Sequence, residues 1–146
     1  MKISSAKNDC FIAIEYQTDS GGYSGFQVAT HADIQHGKFD AKNDDVQFLN
    51  LEAFVSELDQ FILDRTRKPC LTGTYDTYFA FSARGSSVML KYQLGDACCG
   101  RTTTYFLQSG EFEVAQEDLL QVLAGFQEFI KARQDASRNH SEETRF

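Results

Sequence analysis

Two stretches decide the fold predicted for this chain: EAFVSELDQF at residues 52–61 and EDLLQVLAGF at residues 117–126. Each begins with an acidic residue and continues with apolar residues three or four positions apart, which is the pattern of an amphipathic helix. Glu52 and Glu117 suit the positive end of a helix dipole. The chain is therefore predicted to form two helices, each with one face buried.

The limits of both helices follow from neighbouring residues. Asn50 is a favourable N-cap for the first helix, and Pro69 prevents the helix from continuing far. The second helix is predicted to run from about residue 116 to about residue 133. Gly125 lies inside it and costs about 1 kcal/mol relative to alanine, which a close backbone contact at that position would explain.

Strand patterns surround the first helix. Before it, strands are predicted at residues 11–16 and 23–31, with a short third strand at 46–49 and a loop or ragged edge strand at 33–45. Between the helices, alternation predicts strands at residues 75–82, 88–94 and 101–108, and a short one at 111–114. Because alternate side chains share a face of a strand, four residues are expected to point inward: Ile12, Ile14, Phe26 and Val28.

This order of elements predicts an α+β fold, with an antiparallel sheet of five to seven strands and two amphipathic helices packed on one of its faces. The other face is either open or closed by curling of the sheet. At 146 residues the chain fits one domain, predicted over residues 1–135, with a polar, flexible tail at residues 136–146. The outer face is expected to be polar and to carry Glu15, Gln27, Asp76, Tyr78, Ser82, Lys91 and Gln93.

The two helical stretches lie 65 residues apart, a spacing that raises the question of internal duplication. Any amphipathic helix needs an acidic first turn and an apolar stripe, and the strand patterns beside the two helices do not match in sequence. The sequence therefore favours convergence over duplication.

The distribution of charge limits the classes of partner. The formal net charge is −7, with eleven acidic and four basic residues in positions 1–64, and ten of each in positions 65–146. An acidic surface repels phosphate groups, so nucleic acids and anionic membranes are poor partners and a basic protein is a better one. The chain shows neither a signal peptide nor a stretch of membrane-spanning length, so a cytoplasmic location is expected.

No pattern of catalytic or metal-binding residues stands out. His31, His36 and His140 lack the spacing of metal ligands, and the cysteines form no CxxC pair, so no catalytic residue, metal or cofactor is predicted. Cys98 and Cys99 are adjacent in a predicted turn. They are interpreted as free thiols, with a strained, easily reduced disulfide as the alternative.

One region of the chain resembles a known family. Phe54, Leu58 and Phe61 lead through a basic linker to LTGTY at residues 71–75, then to strands around Arg84-Gly85-Ser86, a third strand ending at Gly110, and a helix carrying Leu119, Leu123 and Phe126. Over about residues 46–133 this resembles the WapI-type immunity proteins of bacterial polymorphic toxin systems and related small families of unknown function. The resemblance implies a non-enzymatic protein that neutralises a toxin by binding it.

The binding residues predicted for such a role lie mostly in the acidic segment at residues 38–45. Asp40, Asp44 and Asp45 would attract a basic toxin domain, with Phe39 as an apolar anchor. The alternative is a solvated loop whose Phe39 side chain is packed into the core. Tyr78, the clear aromatic residue of the outer face, completes the set.

Two alternatives to this function remain open. One is a small-ligand-binding protein or an enzyme with a sheet-lined pocket formed by Tyr78, Tyr92 and Tyr105. The other is a homodimer that pairs exposed sheet surfaces, so both a monomer and a homodimer are compatible with the sequence.

Overall fold

The computed structural model describes residues 1–19, 21–98 and 101–143 and has an α+β fold with two four-stranded antiparallel sheets and two helices. The first sheet is a meander followed by a helix: β1 Lys2–Ser4, β2 Cys10–Thr18, β3 Ser24–Ile34, β4 Gly37–Val46 and α1 Leu51–Leu63. The second repeats that order: β5 Cys70–Thr72, β6 Tyr78–Arg84, β7 Ser87–Cys98, β8 Thr104–Val114, a 3-10 turn Gln116–Asp118 and α2 Leu119–Glu143.

The α+β class is confirmed, but the prediction of one sheet with five to seven strands is wrong. β1 and β5 have three residues each, which is too short for an alternating pattern to be visible. β4 was predicted as a loop or ragged edge strand because its sequence is GKFDAKNDDV. It is a full edge strand paired with β3, and charged residues are common on such edges.

β8 also differs from its prediction, since it runs without the break expected at Gly110. Gly110 lies opposite Tyr92 of β7, and a Cβ atom there would be 2.7 Å from the Tyr92 hydroxyl oxygen. The glycine therefore makes room for a buried ring and does not form a turn.

The inner faces of both sheets and the buried faces of both helices form one apolar core. Ile12, Ile14, Phe26 and Val28 point inward, as predicted. Each helix packs against the sheet formed by the other half of the chain. Phe54 of α1 stacks on Phe81 of the second sheet, with ring centroids 6.3 Å apart, while Phe129 of α2 meets Phe26 of the first sheet at 5.3 Å.

The beginning of α1 corrects the N-cap prediction. The Asn50 side chain makes no cap hydrogen bond. Its Nδ2 instead donates to the Cys70 carbonyl oxygen at 2.9 Å, and its Oδ1 accepts from the Thr72 amide at 2.9 Å. Asn50 therefore ties the start of the helix to β5.

The end of α2 also differs from the prediction, because the helix continues past residue 133 to Glu143. Residues 136–143 of the predicted tail are helical, and residues 144–146 lie outside the described part. Within α2, Gly125 has a close contact, although with a side chain: a Cβ atom there would be 2.2 Å from the Met1 sulfur.

Candidate protein-binding surface

A strained turn precedes β6 and exposes a tyrosine. Tyr75 and Asp76 have φ angles of 58° and 59°, in the left-handed region that residues other than glycine rarely adopt. The turn is held by the Thr77 amide, which donates to the Thr74 carbonyl at 3.1 Å, and by Gln93 Nε2, which donates to the Asp76 carbonyl at 2.7 Å. Strain of this kind often marks functional positions.

The turn passes directly over a glycine of β7. A Cβ atom at Gly95 would lie 1.8 Å from the Tyr75 carbonyl oxygen and 3.0 Å from a methyl carbon of Leu107. Gly95 is also fixed from the first sheet, because Asn43 Nδ2 donates to its carbonyl oxygen at 2.8 Å. The missing side chain therefore allows Tyr75 to lie beside Leu107 where the two sheets meet.

A second tyrosine reaches this place from the first sheet. The Tyr23 hydroxyl donates to the Asp45 carboxylate, and this hydrogen bond raises the pKa of Tyr23. The Tyr23 hydroxyl also accepts a hydrogen bond from Gln47 Nε2 at 3.3 Å. Gln47 links the segments that carry the two tyrosines, because its backbone carbonyl accepts from the Thr74 amide at 2.9 Å and its side-chain Nε2 donates to the Ser24 carbonyl at 2.8 Å.

We call Tyr23, Asp45, Tyr75 and Leu107 the junction surface. All four residues are exposed, although three of them have large rings or aliphatic groups. Exposed aspartates adjoin them along the chain, with Asp44 next to Asp45, Asp76 next to Tyr75, and Asp96 next to Gly95. Aromatic anchors within a charged rim are typical of the residues that dominate protein–protein binding.

The structure brings only part of the predicted acidic segment to this surface. Asp45 belongs to it, and Asp44 lies beside it, where a hydrogen bond from Gln27 at 2.7 Å lowers the Asp44 pKa. Asp40 instead pairs with His31 on the outer face of the first sheet. Phe39 is exposed, but it lies six residues from Asp45 along β4, about 20 Å at the rise of a strand.

Tyr78 lies elsewhere and does not share a cavity with the other two tyrosines predicted to line one. It pairs with Gln93 on the outer face of the second sheet. Tyr92 is buried on the inner face, and Tyr105 is exposed near the end of the β7–β8 hairpin. The sheet-lined pocket predicted from these three residues is therefore not formed by them.

Sequence reasoning missed Tyr23, Tyr75 and Leu107 as parts of one surface. Tyr75 was included in a strand because it alternates with apolar residues, whereas its left-handed backbone places it in a turn. The pairing of Tyr23 with Asp45 joins residues 22 positions apart. The turn-forming residues around Gly73 were the available local signal, and none existed for the contact with Gly95.

The described residues contain no group of three or more His, Cys, Asp or Glu side chains arranged to hold a metal ion. Burial raises the pKa of the Cys10 and Cys70 thiols. Cys98 is an exposed free thiol, but Cys99 lies outside the described residues, and with it the predicted alternative of a disulfide between them.

A separate cleft of about 730 Å³ lies between the β2–β3 hairpin and the C-terminal half of α2. Tyr16 is among its lining residues, and the Tyr16 hydroxyl oxygen is buried with no hydrogen-bond partner within the described residues. A buried hydroxyl without a hydrogen-bond partner is costly to the folded state.

Comparisons with known proteins supply no family for this chain. No family model matches it, and no curated protein and no solved structure is significantly similar to it. Within the described residues, none of the helices is both long enough and apolar enough to cross a membrane.

Proposed function

We propose that this protein is a non-catalytic binding module for a basic protein, and that it acts as an immunity protein that neutralises a cognate toxin by direct binding. The observation that carries the proposal is the junction surface. Tyr75 is held exposed in a strained backbone conformation beside Tyr23 and Leu107. Exposed rings held in fixed positions lose little conformational entropy on binding.

The charge around the junction surface favours a basic partner. Asp44, Asp45, Asp76 and Asp96 lie in or beside it, and the nearest basic group in these contacts, Lys42, already pairs with Asp44 at 3.4 Å. Toxins that act on nucleic acids need basic surfaces, so an acidic inhibitor is steered toward them and can cover their active clefts. The resemblance to WapI-type immunity proteins is consistent with this role.

Affinity capture with matched variants tests the proposal. Tagged wild-type protein, Tyr75→Ala and Leu63→Ala are used as baits in extracts of the native host, with quantitative mass spectrometry. Leu63 is 93% exposed and lies at the end of α1, away from the junction surface, so it is the control. We expect one basic protein in near-stoichiometric yield with wild type and Leu63→Ala, and a loss of about tenfold or more with Tyr75→Ala. Equal recovery with all three baits would contradict the proposal.

The captured partner then allows a kinetic test of the acidic rim. Replacing Asp44 and Asp45 with asparagine removes two charges and retains hydrogen-bonding groups. We expect the association rate at low salt to fall several-fold while the dissociation rate changes little, because exposed charges act mainly on encounter. Asp40→Asn is the control within the same strand. An unchanged association rate in the double variant would show that Asp44 and Asp45 do not contribute to the encounter with the partner.

A second candidate function is supported by the cleft at Tyr16. Its mixed polar lining and buried hydroxyl suit a small polar ligand, as in the alternative of a ligand-binding protein or enzyme. Native mass spectrometry of the purified protein tests this candidate. A bound small molecule that is lost in Tyr16→Phe would favour it over the first proposal, and the unmodified mass alone would oppose it.

A further inference from the structure

The four edge strands of the two sheets differ in how they are protected. β1 has only three residues, and β4 carries five charged side chains at Lys38, Asp40, Lys42, Asp44 and Asp45. β5 is covered by the segment before α1, where the Leu49 amide donates to the Thr72 carbonyl at 2.9 Å. Short length, charge and coverage are the usual means of preventing edge-to-edge pairing.

β8 lacks these protections over most of its length. It has eleven residues, and the sequence TTTYFLQSG at 102–110 contains no charge. Tyr105, Phe106 and Leu107 are all exposed, Phe106 by 70%. Within the described residues, the backbone bond on its outer edge comes from Ala6, whose amide donates to the Glu113 carbonyl at 2.8 Å. The edge is therefore open from Thr104 to about Glu111.

We propose that this edge binds the β8 edge of a second copy, so that two chains form one continuous antiparallel sheet about a twofold axis at Phe106. The occupant follows from the charges at the two ends of the segment. Arg101 precedes the uncharged stretch and Glu111 follows it, so an antiparallel arrangement brings Arg101 of one copy toward Glu111 of the other, whose carboxylate also accepts a hydrogen bond from Arg84 of its own chain at 2.6 Å. The rest of the acidic surface would repel another copy.

The side chains are self-complementary in this register. Residues i and j face one another when their numbers sum to 212, so Tyr105 of each copy lies opposite Leu107 of the other, and the two Phe106 rings meet at the axis. The hydrogen bond from the Ala6 amide to the Glu113 carbonyl lies outside the segment that pairs in this register. Beside Phe106 lies an open cleft of about 480 Å³, lined also by Leu94 and Gln108 and, on the side of β4, by Asp40, Ala41 and Lys42.

Analytical ultracentrifugation under reducing conditions tests the proposal over a range of protein concentrations. We expect a reversible dimer for wild type, and for Phe106→Lys a dissociation constant raised by about 100-fold, because the variant places two like charges at the axis and removes two rings. Leu63→Lys, which introduces the same charge at an exposed leucine of α1, should dimerise like wild type. Circular dichroism checks that both variants are folded.

A monomeric wild-type protein at millimolar concentration would overturn the proposal, as would equal dimerisation of Phe106→Lys. The register is tested separately by oxidising single-cysteine variants at positions 105, 106 and 107 in a background in which Cys10, Cys70, Cys98 and Cys99 are all replaced by serine. A disulfide-linked dimer is expected for position 106 and not for its neighbours, since only at the axis does a residue face its own copy. Crosslinking at 105 or 107 in preference to 106 would overturn this register.

Discussion

At the residue scale, two positions require glycine for different physical reasons, one for its backbone conformation and the other for the space that a side chain would occupy. Gly85 has a φ of +61° and open space around the missing side chain, whereas Gly95 lies against the Tyr75 carbonyl. We predict that Gly85→Ala costs about 1 kcal/mol through backbone strain alone, while Gly95→Ala costs about 3 kcal/mol because the strained turn must move. Urea denaturation of both variants measures the difference.

The same pair of variants separates stability from binding. Displacing the turn at Tyr75 also disturbs the junction surface, so Gly95→Ala should weaken capture of the basic partner, and Gly85→Ala should leave it unchanged. Equal unfolding free energies for the two variants would show that the close contact between Gly95 and the turn is relieved at little cost.

A buried tyrosine predicts a dependence of stability on alkaline pH. Burial raises the pKa of Tyr92 above its ordinary value of 10.0. Above that value the unfolded chain loses the phenolic proton more readily than the folded chain, so the free energy of unfolding should fall as pH rises through 10 and beyond. Urea denaturation between pH 9 and 11.5 should show a shallower fall for Tyr92→Phe than for wild type. Tyr105→Phe, at an exposed position, should retain the wild-type slope.

At the scale of elements, Asn50 connects a helix to a strand. A conventional N-cap accepts Asp as well as Asn, but Asn50 uses its Nδ2 group to donate to Cys70. We therefore predict that Asn50→Asp, which retains only an acceptor, destabilises the protein by about 1 kcal/mol and Asn50→Ala by about 2 kcal/mol. Thermal and urea unfolding check both values. If Asn50→Asp is as stable as wild type, Asn50 acts as an ordinary N-cap and its hydrogen bond to Cys70 contributes little.

How far the elements could be predicted depended on where their partners lie. Helix α1 and the inward residues of β2 and β3 were predictable because local periodicity reports a buried face. β4 was uncertain because its stability comes from pairing with β3, which its own polar sequence does not report. The junction surface was largely beyond prediction, since Tyr23, Tyr75 and Leu107 meet only through contacts between the two sheets.

At the scale of the whole molecule, the chain is an architectural repeat. Each half has a short strand, three longer strands and a helix in the same order, a match that the sequence comparison of the flanking strands did not reveal. The repeat is not a pair of independent units, because each helix packs on the opposite sheet. Phe54 of the first half covers Phe81 of the second, and Phe129 covers Phe26 in return.

This exchange of helices predicts fragment complementation. The chain can be divided between Lys68 and Pro69, in the connection from α1 to β5. Residues 1–68 and 69–146 should each lack a cooperative unfolding transition alone, because the sheet of each fragment is without the helix that covers it. Mixed in equal amounts they should recover the circular dichroism spectrum of the intact chain.

The dependence on Phe54 makes the complementation specific. Phe54→Ala in the first fragment removes a ring that contacts both Phe81 and Phe126, and should cost about 3–5 kcal/mol of the association. Leu63→Ala in the same fragment is the matched control and should associate like the unaltered fragment. A cooperative transition in either fragment alone would mean that the two halves fold independently, and the crossed helices would then contribute to docking without being needed for folding.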